Sequence, residues 1–233
     1  DGGKLRKLII AIIALIEFLY RIYDYDIVHV HIGSLPSFYR KSIFIYLALK
    51  LDKKIIIHFH GGDFHKFYHP GSNRFLQKII VRVFGFADSV IALSFSWADF
   101  LSTIVDREKI RVIYNGVPVT TSLEKNYNNL YLLFLGKVVK EKGAFDLLNV
   151  MPDIKSKYPE IRLYIGGEGD TGLFKNIIRQ KGLQNNVKLL GWVTGSEKRK
   201  YLLESTIFIL PSYNEALPMS LLEAMSYKCS AIT

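Results

Sequence analysis

Two glutamates eight positions apart, Glu215 and Glu223, stand in the run Pro211-Ser-Tyr-Asn-Glu-Ala-Leu-Pro-Met-Ser-Leu-Leu-Glu-Ala-Met225. A strand pattern over 207–210 leads into it, and Pro218 suits a first helical turn, where a missing N–H costs nothing. Glu215 then precedes the helix and Glu223 lies about a turn and a half inside it. Two carboxylates so placed could hold hydroxyls at two parts of one extended ligand, while the free amides at the helix start, around Ala216 and Leu217, face its phosphates. A glutamate ahead of a helix is also a common capping charge, and for Glu215 alone that alternative stays open.

Three other places carry chemistry. In Phe134-Leu-Gly136-Lys137-Val-Val-Lys140-Glu-Lys142-Gly143 a strand ends at a glycine, three lysines follow and a helix begins near Gly143. Helix amides and lysines together make an anion site that suits a diphosphate, with the dipole contributing about 0.3–1 kcal/mol; a solvated basic loop is the alternative. Ile165-Gly-Gly167-Glu-Gly169-Asp170 has Gly-x-Gly without the third glycine of a dinucleotide fingerprint, and reads as a tight strand-to-helix turn. In His58-Phe-His60-Gly-Gly-Asp63-Phe64 a strand runs into two glycines, which puts His60 at a strand mouth, as a ligand contact or as an ordinary loop histidine. All six histidines lie between His29 and His69. His29/His31 and His58/His60 are strand-alternation pairs and no helix carries His-x-x-x-His, so no metal site is expected among them. Asp24-Tyr-Asp26 offers paired carboxylates, but ahead of a strand, at the end away from a ligand crevice.

These residues need elements to hold them. Apolar, β-branched runs at 27–32, 54–60, 89–93, 110–114, 131–136, 162–166, 187–190 and 207–210 read as strands, and a further strand begins at the C-terminal end. Helical spacing marks 37–51, 73–86, 145–157, 173–181 and 217–227. Strands that are nearly all apolar belong to parallel sheets covered on both faces, so the expected class is α/β, doubly wound, with ligands beyond the carboxyl ends of the strands. Asn115-Gly-Val-Pro118 and the polar stretch 120–129 read as a linker between domains 1–118 and 119–233.

The composition excludes several classes. With 233 residues, 49% hydrophobic and 13% aromatic, the chain is no disordered tail. One cysteine, Cys229, rules out a disulfide framework or a cysteine zinc site and fits a reducing, cytoplasmic setting. The net charge of +10 points to anionic partners and is dispersed, +6 before residue 119 and +4 after it, with no basic–aromatic motif of a nucleic-acid reader. The opening segment 4–23 has basic residues, then an apolar run too short to span a bilayer. It is expected to form a buried helix, and a place at a membrane surface is compatible with it.

Together the motifs resemble the family-4 retaining glycosyltransferases of the GT-B fold, in which two Rossmann-like domains face a cleft. The resemblance rests on Glu215-x7-Glu223 within "PSYNEALPMSLLEAM", with "FLGKVVKEKG", "HFHGGDF", "VIYNGVP" and "LLGWV" in support, and covers nearly the whole chain. It implies transfer of a sugar from a nucleotide-sugar donor, UDP- or GDP-linked, to a glycan or lipid-linked acceptor, with no metal or other cofactor; the basic charge and the apolar first helix add the expectation of work at the inner face of a membrane. Glu215 would hold donor-sugar hydroxyls and Glu223 the ribose. Gly136, Lys137 and Lys142, with amides near Ala216 and Leu217, would hold the diphosphate, and His60 would bond the sugar near the reacting carbon. Residues 1–118 would be the acceptor side and 119–233 the donor side.

Two positions depart from the family pattern: Lys137 stands where arginine is usual, losing bidentate phosphate geometry, and Ala216 where glycine is common. By the same resemblance the family's first strand, with its glycine-rich loop, would precede Asp1, and the rest of the second domain would follow Thr233. Other readings are an epimerase of the same fold or a non-catalytic partner subunit that binds nucleotide sugars. A phosphorylase would need a lysine for pyridoxal phosphate, which nothing marks.

Overall fold

The computed structural model describes every residue except 1, 34, 62, 63, 66, 70–72, 120–124, 126 and 128, and leaves the side chains of 2, 4, 5, 7 and 8 undescribed. The chain divides into two compact units, Asp1–Tyr114 and Asn115–Thr233.

The first unit is built on a parallel sheet in the order β1 (Ile27–Ile32), β2 (Lys54–Phe59), β3 (Ser89–Ala92), β4 (Ile110–Val112). Helices α1 (Gly2–Arg21), α2 (Leu35–Lys50), α3 (Arg74–Gly85) and α4 (Phe95–Ser102) connect and cover it. Alternation along the strands sends Val30, Ile32, Ile55, Ile57 and Phe59 inward, where they meet Phe38, Ile45, Ile80 and Phe84 from the helices. The helix starts are specified locally. The Asn73 side chain accepts from the amides of Phe75 and Leu76, and the Ser94 hydroxyl accepts from Trp97 N–H. β2 is anchored at its start by Asp88, whose carboxylate accepts from Ile55 N–H at 2.8 Å and from Lys54 Nζ at 2.9 Å.

α1 departs from the expected buried helix. Among its described residues only Leu15 and Phe18 are even half-buried, in line with the buried Ile22 just after the helix, and Phe18 lies edge-on to Phe44. Ile9, Ile10, Ile13 and Ile16 are 47%, 55%, 57% and 61% exposed. A helix buries only the stripe that finds a packing partner. Among the described residues no helix is long and apolar enough to cross a membrane.

The second unit is a five-stranded parallel sheet in the order β7 (Val187–Gly191), β6 (Arg162–Gly166), β5 (Tyr131–Leu135), β8 (Ile207–Ile209), β9 (Ser230–Ile232). Its helices are α5 (Ala144–Lys157), α6 (Thr171–Gln180), α7 (Gly195–Glu204) and α8 (Met219–Ser226). Leu132, Leu133, Phe134 and Leu135 of the central strand are buried, joined by Leu148, Met151, Leu163, Ile165, Phe174 and Phe208. The chain lays its strands down outward from β5 in one direction, then returns to build on the other side. That reversal, between β5 and β8, opens a crevice beyond the carboxyl ends of the two strands.

The sequence patterns placed the other elements within a few residues and missed α4 and α7. α4 is only eight residues long, and α7 is so polar that only Tyr201 and Leu202 are buried. Pro218 sits at the N-cap of α8 rather than inside its first turn; Leu221 and Ala224 fill the buried face of that helix and Met225 is 57% exposed.

Candidate functional site

In the second unit the ends of β5 and β8 are stitched together by backbone. After β5 come Gly136 and Lys137, then a 3-10 turn at Lys140–Lys142, then Gly143 in the left-handed region at φ 67°, from which α5 starts. A Cβ on Gly143 would overlap the Pro211 carbonyl, so only glycine lets the lysine turn lie against the loop that follows β8. Gly167, at φ 148°, packs equally close to the Gly136 carbonyl. Tyr213 N–H donates to the Glu141 carbonyl at 3.0 Å, and its hydroxyl donates to Asp146 at 3.1 Å.

Of the sequence-predicted residues, this stitching brings Lys142 and Glu215 together. Lys142 Nζ donates to Glu215 Oε1, and Lys198 Nζ donates to Glu223 Oε1 at 2.7 Å. Both pairs are half-buried, with side chains 26–31% exposed. The Leu217 carbonyl, between the two glutamates, accepts from Asn115 Nδ2 at 3.1 Å, and the first amides of α8 have no carbonyl four residues back. Glu223 and Lys198 line a cavity of about 200 Å³ with Val117, Pro118, Ser226 and Tyr227. Lys137 is exposed at the crevice edge, and the Ser212 hydroxyl is buried without a protein partner.

The arrangement offers two lysine-held carboxylates as acceptors for hydroxyls, and lysines and helix amides as partners for an anion. Lys142 is engaged by Glu215, so an anion would share its charge with that carboxylate. Lys198 was not legible in the sequence, because its helix has almost no apolar period; a basic residue four positions after Thr194, itself just before α7, was the only signal.

In the first unit, His60 follows β2 directly and its N–H donates to the Ile32 carbonyl at 2.7 Å. His31 Nδ1 and His60 Nε2 share a hydrogen bond of 2.7 Å. Burial, then the positive potential of His31 and Lys41, lowers the His60 pKa, and burial with His29 and Lys41 lowers that of His31. His58 is lowered to about 4, first by burial and then by its histidine neighbours. His60 is therefore a neutral imidazole at pH 7, able to donate one hydrogen bond and accept another. Gly62 and Asp63, next in the motif, lie outside the described residues. Asp24 and Asp26 are exposed ahead of β1, at the end opposite His60.

Comparison with known proteins gives matches along the chain. The description "Glycosyltransferase Family 4" matches residues 2–121, and "Glycosyl transferases group 1" matches residues 120–233. A GDP-mannose:cellobiosyl-diphosphopolyprenol alpha-mannosyltransferase of Xanthomonas oryzae pv. oryzae is 27% identical over 213 residues, covering 86% of this chain and 53% of that protein. One component of the human phosphatidylinositol N-acetylglucosaminyltransferase is 28% identical over 130 residues, 54% of this chain and 27% of its own. Among solved structures, Anabaena HepE in complex with UDP and glucose superposes with a TM-score of 0.72 at 17% identity, over 92% of this chain and 60% of that one. Sucrose-phosphate synthase from Thermosynechococcus elongatus gives 0.74 at 15% identity, over 91% and 57%. These likenesses show the fold, GT-B. The chain spans about half the length of the first of these curated relatives.

Proposed function

The chain belongs to glycosyltransferase family 4, and from that premise we propose that it takes part in transferring a sugar from a nucleotide-sugar donor to a glycan or lipid-linked acceptor. The observation that carries the reading is the pair Glu215 and Glu223, each half-buried and held by a lysine, beyond the strand ends where the sheet order reverses. Glu215 accepts hydrogen bonds from donor-sugar hydroxyls and Glu223 from the ribose. Lys137, Lys142 and the amides near Gly136, Ala216 and Leu217 take the charge that develops on the departing diphosphate. Electrostatic stabilisation of that kind is commonly the largest single catalytic contribution. His60, neutral and held by His31, contributes from the acceptor-side unit as a hydrogen-bonding partner of the donor sugar.

The reaction retains configuration and uses no metal at the diphosphate, the acceptor hydroxyl attacking on the face from which the diphosphate leaves. Supporting this are two cationic side chains and a helix N-terminus where a divalent ion would otherwise be needed. The names of two relatives carry a lipid, cellobiosyl-diphosphopolyprenol in one and phosphatidylinositol in the other, which supports a lipid-linked acceptor. The exposed isoleucines of α1, with Arg6 on the same helix, support docking on the cytoplasmic face of a membrane.

In a chain extended to the length of its relatives, Glu215→Gln is expected to lower transfer 10- to 100-fold, the cost of about 1–3 kcal/mol for a lost buried hydrogen bond. Unchanged turnover in a steady-state assay overturns the assignment. Calorimetric binding of a nucleoside diphosphate with neither transfer nor sugar release favours a partner protein that binds without catalysing.

A further inference from the structure

The face of β1 and β2 opposite the apolar core carries four histidines. Parallel pairing sets His31 directly beside His58, and the two-residue period of the strands puts His29 and His60 on that same face. The imidazoles form a stack: His29 lies 4.6 Å from His31 and 5.4 Å from His58 between ring centroids, and His31 lies 4.9 Å from His58.

We propose that His29, His31 and His58 form a binding site for one divalent transition-metal ion of the zinc type. One ligand nitrogen from each of the three lies within 4.8 Å of the others. A tetrahedral ion with metal–nitrogen bonds of about 2.0–2.1 Å needs nitrogens about 3.4 Å apart. Small ring rotations about the side-chain torsions close that difference, because His29 and His31 are exposed and His31 can move together with the His60 ring that it bonds.

A second observation is independent of that spacing. Both ring nitrogens of His58 are buried and have no hydrogen-bond partner. Such an orphaned polar ring is costly in a folded protein and calls for an unseen partner. A bound cation that accepts one nitrogen's lone pair supplies it. His60 completes the arrangement: its hydrogen bond to His31 Nδ1 occupies that nitrogen and leaves Nε2 for the ion, as an outer partner does for a metal-ligating histidine. The ligand set is three neutral nitrogens with no carboxylate, which suits zinc, nickel or copper and disfavours magnesium and calcium, which prefer oxygen. The ion would clamp β1 to β2 and, through His31, fix the orientation of His60; it takes no part in the transfer step.

The test is zinc titration of the chelator-treated full chain by calorimetry, with no sugar donor present, so that its outcome is separate from that of the transferase reading. One zinc ion per chain is expected, with a raised unfolding temperature and no heat from magnesium at the same concentration. His29→Ala, an exposed position where folding is not at stake, should weaken zinc binding at least 10-fold, as should His58→Ala, with far-UV circular dichroism confirming its fold. His60→Ala should weaken it about 10-fold through the lost outer partner. His69→Ala, outside the cluster, should leave it unchanged. Cobalt substituted for zinc should give the visible absorption of a tetrahedral nitrogen site. Absence of zinc binding, equal affinity in His29→Ala, or a loss in His69→Ala as large as that in His29→Ala overturns the proposal.

Discussion

The two units solve the same folding problem with different consequences. Both are parallel sheets fed by crossover helices, yet the second reverses its strand order between β5 and β8 while the first adds β1 to β4 in one direction. Reversal sends the helices after β5 and β8 to opposite faces of the sheet, so the loops between them part and leave a crevice. The lysine turn and Glu215 come from those loops, and Glu223 from the helix α8 that follows the second of them. In the first unit, the described strands create no such opening, and its chemistry lies on a strand face, in the histidine stack.

The sharpest way to break the comparison is through the cores. Phe59 in the first unit and Phe134 in the second are both essentially fully buried. Each Phe→Ala change is expected to cost about 3–5 kcal/mol, read as a shift of the urea midpoint. Phe59→Ala should spare nucleoside-diphosphate binding by the second unit, whereas Phe134→Ala should abolish it; equal loss in both would show that the units do not act separately.

A smaller effect is expected at Gly143, where a side chain meets both a left-handed backbone and the Pro211 carbonyl. Gly143→Ala should cost about 2–3 kcal/mol, the sum of the φ penalty and local overpacking, and should weaken nucleoside-diphosphate binding by separating the lysine turn from the glutamate loop. Stability lost with binding retained would show that the close approach is not needed by the site.

The smallest effect concerns Asp88, which the first unit uses to begin β2. Its pKa is lowered, first by the Ile55 amide and then by Lys54. The ionised form therefore favours the fold: its contribution is fully present above the ordinary carboxylate value of 3.8 and is lost as pH falls through the lower folded value. The side chain is 42% exposed, so the contribution is below about 1 kcal/mol. Asp88→Asn should lower stability by less than about 1 kcal/mol at pH 7 and not at all at acid pH, which flattens the acid limb of the stability–pH curve; an unaltered acid limb would show that Asp88 does not anchor β2.

How much was legible depended on whether the signal was local. The strand of Leu132–Leu135 announces itself by being apolar throughout, as a strand covered on both faces must be. Glu215 and Glu223 were legible because a strand, a loop and a proline-started helix fix their places along the chain. Lys198 and α7 were not, since a helix exposed on most of its surface has too few apolar residues to show a period. α1 misled in the opposite direction: its hydrophobicity is real, but burial needs a partner surface, and among its described residues only Leu15 and Phe18 are even half-buried.

From its sequence alone, this protein was determined to be a doubly wound α/β chain with two carboxylates, a lysine turn and a strand-end histidine in fixed chain order, because periodicity and turn chemistry act over a few residues. Only the tertiary structure decided which lysine holds which glutamate, since Lys142 and Glu215 are 73 positions apart and meet only when β5 and β8 lie side by side. It also decided that two histidine pairs on separate strands form one cluster. Alternation sets the face on which each His-x-His pair points, but the register between β1 and β2 sets whether the pairs meet, and register is a property of the folded sheet.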